Sequence, residues 1–294
     1  MRSDKVVVDV PIDDFGIVGM ETDAHLCRLG VAVGGSQAVR MISPGLVSIT
    51  FRALTPAEIV ALVRQAGLHG IEWGGDIHVP HGNVARAREV RALTQDAGLN
   101  VAAYGSYYRA AASEAAGLTF ASVLESAVAL GAPVIRVWAG PAGSAAASPE
   151  LRSQVVADLR RISTLAATVG VGVSLEFHNG TLTDTGPSTV QLLAEVNHPN
   201  LSTYWQPPLD QDTAAGLADL RSLLPRLTHV HVYHWRPGSI ERLPLAEGAG
   251  RWRSFLDLAA TAAGGRCAML EFVEGDAPAS FLRDAATLKS WLSP

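Results

Sequence analysis

Short apolar runs recur along this chain, each reached from a helical stretch that ends in glycine. The pattern appears in RQAGLHGIEW, TQDAGLNVAAY, ALGAPVIRVW, ATVGVGVSLEF and AAGGRCAMLEF. Glycine just past a helix end is the favoured left-handed cap. A continuous apolar run of this length fits a parallel strand covered on both faces. Helix starts are marked as well. Thr55, Pro56 and Glu58 supply an N-cap, a first-turn proline and a capping-box carboxylate, and Ser148-Pro149-Glu150 opens another helix in the same way. Strands are predicted near residues 46–51, 69–73, 100–104, 133–138, 171–177, 201–206, 228–234 and 267–272, each followed by a helical segment. Eight strand–helix units in sequence predict a single closed (β/α)8 barrel, the TIM-barrel architecture. The alternative is an open doubly wound sheet. It usually needs a glycine-rich phosphate turn after the first strand, and ITFRALTP has none.

Composition narrows the picture. Of 294 residues, 48% are hydrophobic and 17% charged, enough to build a large core and too apolar for a disordered chain. The barrel is assigned to residues 41–294, where Met41 opens MISPGLVSITF. Residues 1–40 show no helical period and gather Gly30, Gly34 and Gly35 near their end. They are expected to be a disordered leader or a mis-called upstream start, with an ordered arm on the barrel as the alternative. A formal net charge of -5 lacks the basic footprint of a nucleic-acid binder. No apolar run approaches the roughly 18 residues of a membrane span. Asp9, Asp13 and Asp14 interrupt any signal-peptide pattern, and two cysteines suggest no disulfide framework. The expected setting is cytoplasmic, with no nucleic-acid or membrane partner; a homo-oligomer stays open.

In such a barrel the chemistry sits at the C-terminal strand ends. Read in order, these ends carry Glu72 and Trp73, Arg136 and Trp138, Glu176 and His178, Trp205 and Gln206, His229 and His231, and finally Glu271. Strand alternation puts Glu176 with His178 on one side of the fifth strand, and His229 with His231 on one side of the seventh. A barrel interior would ordinarily hold Val or Ile there, and an unpaired buried carboxylate is costly. A shared divalent cation resolves that cost. Two carboxylates, an imidazole and an amide oxygen suit Mn²⁺ first, with Mg²⁺, Co²⁺ or Zn²⁺ as alternatives.

From about Met41 to Pro294 the chain resembles the xylose-isomerase-like sugar phosphate isomerase/epimerase superfamily. The resemblance rests on these strand-end residues and on the His-x-His of strand seven. It implies Glu176, Gln206, His231 and Glu271 as metal ligands, and Glu176 with Glu271 as the acid–base pair. Gln206, in YWQPPLD, stands where that pattern has Asp, which removes one negative charge; His198 and Asp210 are substitutes that sit less well at the strand end. The implied activity is metal-dependent isomerisation or epimerisation of a keto-sugar or cyclitol through an enediolate. The alternatives are dehydration of an inosose-like substrate, which starts from the same enediolate, and a non-catalytic sugar-binding or partner protein. A DNA-repair activity like that of endonuclease IV would need a His-rich three-zinc cluster and a basic face, and neither is visible.

Further residues are expected to contact the substrate. Glu72 resembles the superfamily's substrate-facing carboxylate, with an ion pair to Arg136 as the competing reading. Arg136, Trp138 and His178 share the strand-end ring, and His78 follows strand two in DIHVPHG. Arg242 lies in the long loop after strand seven, where related enzymes place a substrate-binding Arg. Trp73, Trp138, Trp205 and Trp235 all fall at or near strand ends, where aromatic faces would suit a sugar ring.

Overall fold

The computed structural model describes residues 42–293; the expectation for residues 1–40 lies outside them. Eight parallel strands close into a barrel in chain order. They are β1 (Ile42–Val47), β2 (Gly70–Gly74), β3 (Asn100–Arg109), β4 (Val134–Trp138), β5 (Gly172–Leu175), β6 (Leu201–Trp205), β7 (Leu227–Val232) and β8 (Arg266–Leu270). The helices between and after them are α1 (Pro56–Ala66), α2 (Val84–Asp96), α3 (Phe120–Leu130), α4 (Pro149–Ala167), α5 (Gly186–Val196), α6 (Thr213–Leu223), α7 (Ala249–Ala259) and α8 (Pro278–Leu292). The expected signals operate as read. Thr55 and Glu58 close a capping box on α1, and Gly67 ends it at φ 64°. Ser148 caps α4 by accepting from the Leu151 N–H.

Two strands depart from expectation. β1 starts at Ile42, and Ser48–Phe51 form a 3-10 turn instead of strand. Pro44 and Gly45 disguise this strand. A Cβ at Gly45 would come within 2.9 Å of the Gly70 carbonyl oxygen, so close approach of β2 requires the bare backbone. β3 runs on to Arg109, with a register shift against β4 between Gly105 and Arg109, and Tyr107 sits at φ 55°.

Alternation then sorts the side chains. Ile71, Trp73, Ile135, Val137, Val173, Leu175, Trp205, Val230, Val232 and Leu270 face the helices in the main core. Val47, Ala103, Val134, Tyr204 and Met269 fill the barrel interior. Above that small layer the interior turns polar: Glu72, Arg136, Glu176, His231 and Glu271 are all buried. Parity corrects one expectation. Trp73 donates its indole N–H to Thr94 on α2, 3.2 Å away, and Trp205 packs edge-on against Phe255 of α7. Neither faces the mouth; of the four tryptophans, Trp138 and Trp235 do.

Candidate metal centre and active site

Three side chains from three strand ends converge. One ligand atom each from Glu176, His231 and Glu271 lie within 4.8 Å of one another, all buried. His231 Nδ1 faces the group: Glu271 Oε2 is at 3.4 Å, Glu176 Oε1 at 3.8 Å and Gln206 Oε1 at 3.1 Å. The amide oxygen of Gln206 therefore joins the same focus without adding charge.

Beneath it lies a network of buried charge. Arg136 donates from Nε to Glu72 Oε1 at 2.6 Å and from Nη1 to Glu176 Oε2. Trp138 Nε1 donates to that same Glu176 oxygen. Glu72 Oε2 lies 3.4 Å from His231 Nε2. Burial disfavours the charged forms of His231, Glu72 and Glu271, and their partners reverse that penalty. Burial would lower the His231 pKa, but Glu271 and Glu72 lift it to about 10. Burial would raise Glu72, but Arg136 and His231 hold it well below the usual carboxylate range. Burial would raise Glu271 too, and His231 and Arg136 lower it. Three carboxylates thus meet one guanidinium and one imidazolium, leaving one negative charge over. With a divalent cation in place of the His231 proton, the cluster sums to zero. Hard oxygen donors, one imidazole nitrogen and this charge balance fit a divalent cation.

Above the focus opens a cavity of about 160 Å³, lined by Glu176, His178, Gln206, Tyr233, Trp235 and Glu271 among others. His178 stacks on Trp138 with ring centroids 4.8 Å apart and an interplanar angle of 18°. Its Nδ1 lies 2.7 Å from the Asn179 carbonyl oxygen. A carbonyl only accepts, so Nδ1 carries the proton and a neutral His178 presents its Nε2 lone pair. Arg109 stacks on Trp138 as well, its guanidinium carbon 4.1 Å from the ring centroid.

The other expected substrate contacts are placed elsewhere. Glu72 is 0% exposed and Arg136 2%, so both are occupied by the buried network and covered from the cavity. His78 is turned under the β1 end, where its Nδ1 meets Ser48 Oγ at 2.9 Å and the ring packs edge-on against Trp73. Arg242 pairs with Asp276 and lies 4.7 Å over the Phe272 ring, lining a neighbouring cavity of about 320 Å³. His229 sits one step lower in the barrel. Its Nδ1 accepts the Cys267 N–H at 3.0 Å, and burial pushes its pKa down to about 4. His198, named as a substitute ligand, precedes β6 at the opposite barrel end and meets Thr164 Oγ1 at 3.3 Å. Residues not foreseen in the site are Tyr107, Arg109, Tyr233 and Phe272. Tyr107 and Phe272 take positive φ, which no local pattern announces. Tyr233 could have been found, because it has the same parity as His231.

The chain belongs to the xylose isomerase-like TIM barrel family, whose model matches residues 60–291. It is 41% identical over 98 residues to a 3-dehydroshikimate dehydratase of Bacillus anthracis. That stretch covers 33% of this chain and 35% of the curated relative. Among solved structures, a probable 3-DHS dehydratase of Bacillus anthracis superposes with a TM-score of 0.72 at 24% identity, covering 84% of this chain and 99% of that one. A xylose isomerase-like TIM barrel protein of Mycobacterium smegmatis, in complex with magnesium, gives 0.66 at 18% identity, over 87% of this chain and 98% of that one. At these identities the superpositions establish the fold.

Proposed function

We propose that this protein is a divalent-metal-dependent dehydratase acting on a cyclic hydroxyketone of the 3-dehydroshikimate or inosose kind. Glu176, Gln206, His231 and Glu271 would hold the cation. Once bound, it would polarise a substrate carbonyl and so acidify the adjacent C–H. The local identity to a dehydratase supports the substrate class.

The observation that carries the eliminative outcome is the unequal commitment of the basic groups. One Glu176 oxygen already takes donors from Arg136 and Trp138, and the other faces the cation focus. Glu176 Oε2 thus has its lone pairs taken, and only Oε1 stays open, turned toward the cation focus. His178 keeps an open Nε2 on the cavity wall. Epimerisation that delivers a proton to the opposite face calls for two acid–base groups. Syn elimination calls for one. His178 takes the proton from the carbon beside the carbonyl, leaving an enolate. The same proton then goes to the β-hydroxyl as its C–O bond breaks, and the products are a conjugated enone and water. On this reading His178 carries the proton, and Glu176 and Glu271 serve as cation ligands.

The test is to incubate the Mn²⁺- or Mg²⁺-loaded protein with 3-dehydroshikimate and with an inosose, following ultraviolet absorbance and proton NMR. A conjugated, dehydrated product is expected. Solvent deuterium incorporation with an epimeric or isomeric product and no water loss would replace this reading with the isomerase one.

A further inference from the structure

Glu72 has no exposed surface, so no substrate reaches it. Its two oxygens are divided between two side chains that serve the cation focus. Oε1 accepts from Arg136 Nε at 2.6 Å, and Oε2 faces His231 Nε2 at 3.4 Å. The other arm of Arg136 holds Glu176 by Oε2, which leaves Oε1 of Glu176 on the His231 side. A carboxylate accepts and does not donate, so it keeps a proton on His231 Nε2 and the ligand position at Nδ1. Tyr204 braces the same imidazole edge-on, with ring centroids 5.1 Å apart. Gly105 on β3 leaves the room this arrangement needs. A Cβ there would fall 2.7 Å from Arg136 Nη2 and 2.8 Å from Glu72 Oε1.

We propose that Glu72 is a positioning residue: it sets which nitrogen of His231 and, through Arg136, which oxygen of Glu176 faces the cation. The proposal rests on the cation-binding reading of the site. It assigns Glu72 to the metal centre and not to the substrate.

Glu72→Gln tests it. A glutamine offers one acceptor oxygen and turns an N–H₂ toward the second donor, so either Arg136 or His231 loses its partner. Mn²⁺ affinity, measured by titration calorimetry, should fall about 10- to 100-fold. In ¹⁵N-histidine NMR of the Mg²⁺-loaded wild type, His231 should show one tautomer with a slowly exchanging Nε2–H, and the variant should lose that signal. Glu72→Asp keeps the charge and should recover part of the affinity. If Glu72→Gln does not fold, Glu72→Asp decides on the same two readouts, with an expected affinity loss of several-fold. Wild type that binds metal, with a variant that binds within twofold and keeps the Nε2–H signal, would overturn the positioning role alone. Wild type that binds neither Mn²⁺ nor Mg²⁺ would overturn the cation-binding reading beneath it.

Discussion

Replacing Gln206 with Asp changes the charge at the focus while keeping an oxygen donor there. Gln206 Oε1 lies 3.1 Å from His231 Nδ1, and the side chain is 8% exposed. A unit charge pair at about 4 Å is worth about 4 kcal/mol at an effective dielectric near 20, and a divalent ion doubles it. Two costs oppose that gain. Burying another carboxylate costs several kcal/mol. The new carboxylate also holds the His231 proton, which the metal must displace. The net expectation for Gln206→Asp is Mn²⁺ binding tighter by about one to two orders of magnitude near pH 9, and by less near pH 7, where proton displacement costs more. Gln206→Leu removes the oxygen and should loosen binding at least about tenfold. Titration calorimetry at the two pH values reads both effects. Equal affinity in all three proteins would remove Gln206 from the ligand set and refute the charge argument.

Other outcomes follow from the same geometry. His178→Gln should lower kcat by about 10²–10⁴-fold with little change in metal affinity, whereas Glu176→Gln and Glu271→Gln should weaken metal binding as well; a fully active His178→Gln enzyme would return the base role to the carboxylates. The metal-free protein should lose thermal stability as pH rises. The raised His231 pKa contributes stability that is complete below about 6.5 and is lost as pH rises through about 10. Saturating Mn²⁺ should flatten that decline, because a His231 that ligates through Nδ1 has already given up the proton that titrates, and scanning calorimetry between pH 7 and 10 checks both curves. Gly105→Ala should cost about 1–3 kcal/mol in denaturant unfolding and weaken metal binding, because its Cβ would collide with the Arg136–Glu72 pair; unchanged binding would mean that pair has slack.

The barrel was legible because its punctuation is local. The glycine caps, the capping box at Thr55 and the apolar runs need no tertiary information, and the eight strand–helix units they mark imply closure. The convergence of Glu176, Gln206, His231 and Glu271 was legible by parity, since they are strand-end residues two apart from other inward positions. The same parity places Trp73 and Trp205 outward, since they neighbour the inward Glu72 and Gln206. Counting tryptophans at strand ends without it brings them to the mouth. What stayed hidden depends on distant partners. His78 is held under the β1 end by Ser48, 30 residues away, and the hydrogen-bond surroundings of Glu176 and His178 depend on Arg136, Trp138 and a loop carbonyl.

The clamp of Arg136 across Glu72 and Glu176 has a consequence for the protein without its proposed cation. Its acidic floor is already neutralised, save for one charge, by residues of the chain itself. Folding should then need no cation, unlike small domains whose shape is the metal's doing. Stripping the ion should leave an intact barrel that recovers on re-addition without passing through an unfolded state. In a cell short of divalent metal such a protein would wait as a folded, silent pool, and its output would track cation supply within moments of a change, with no new synthesis required.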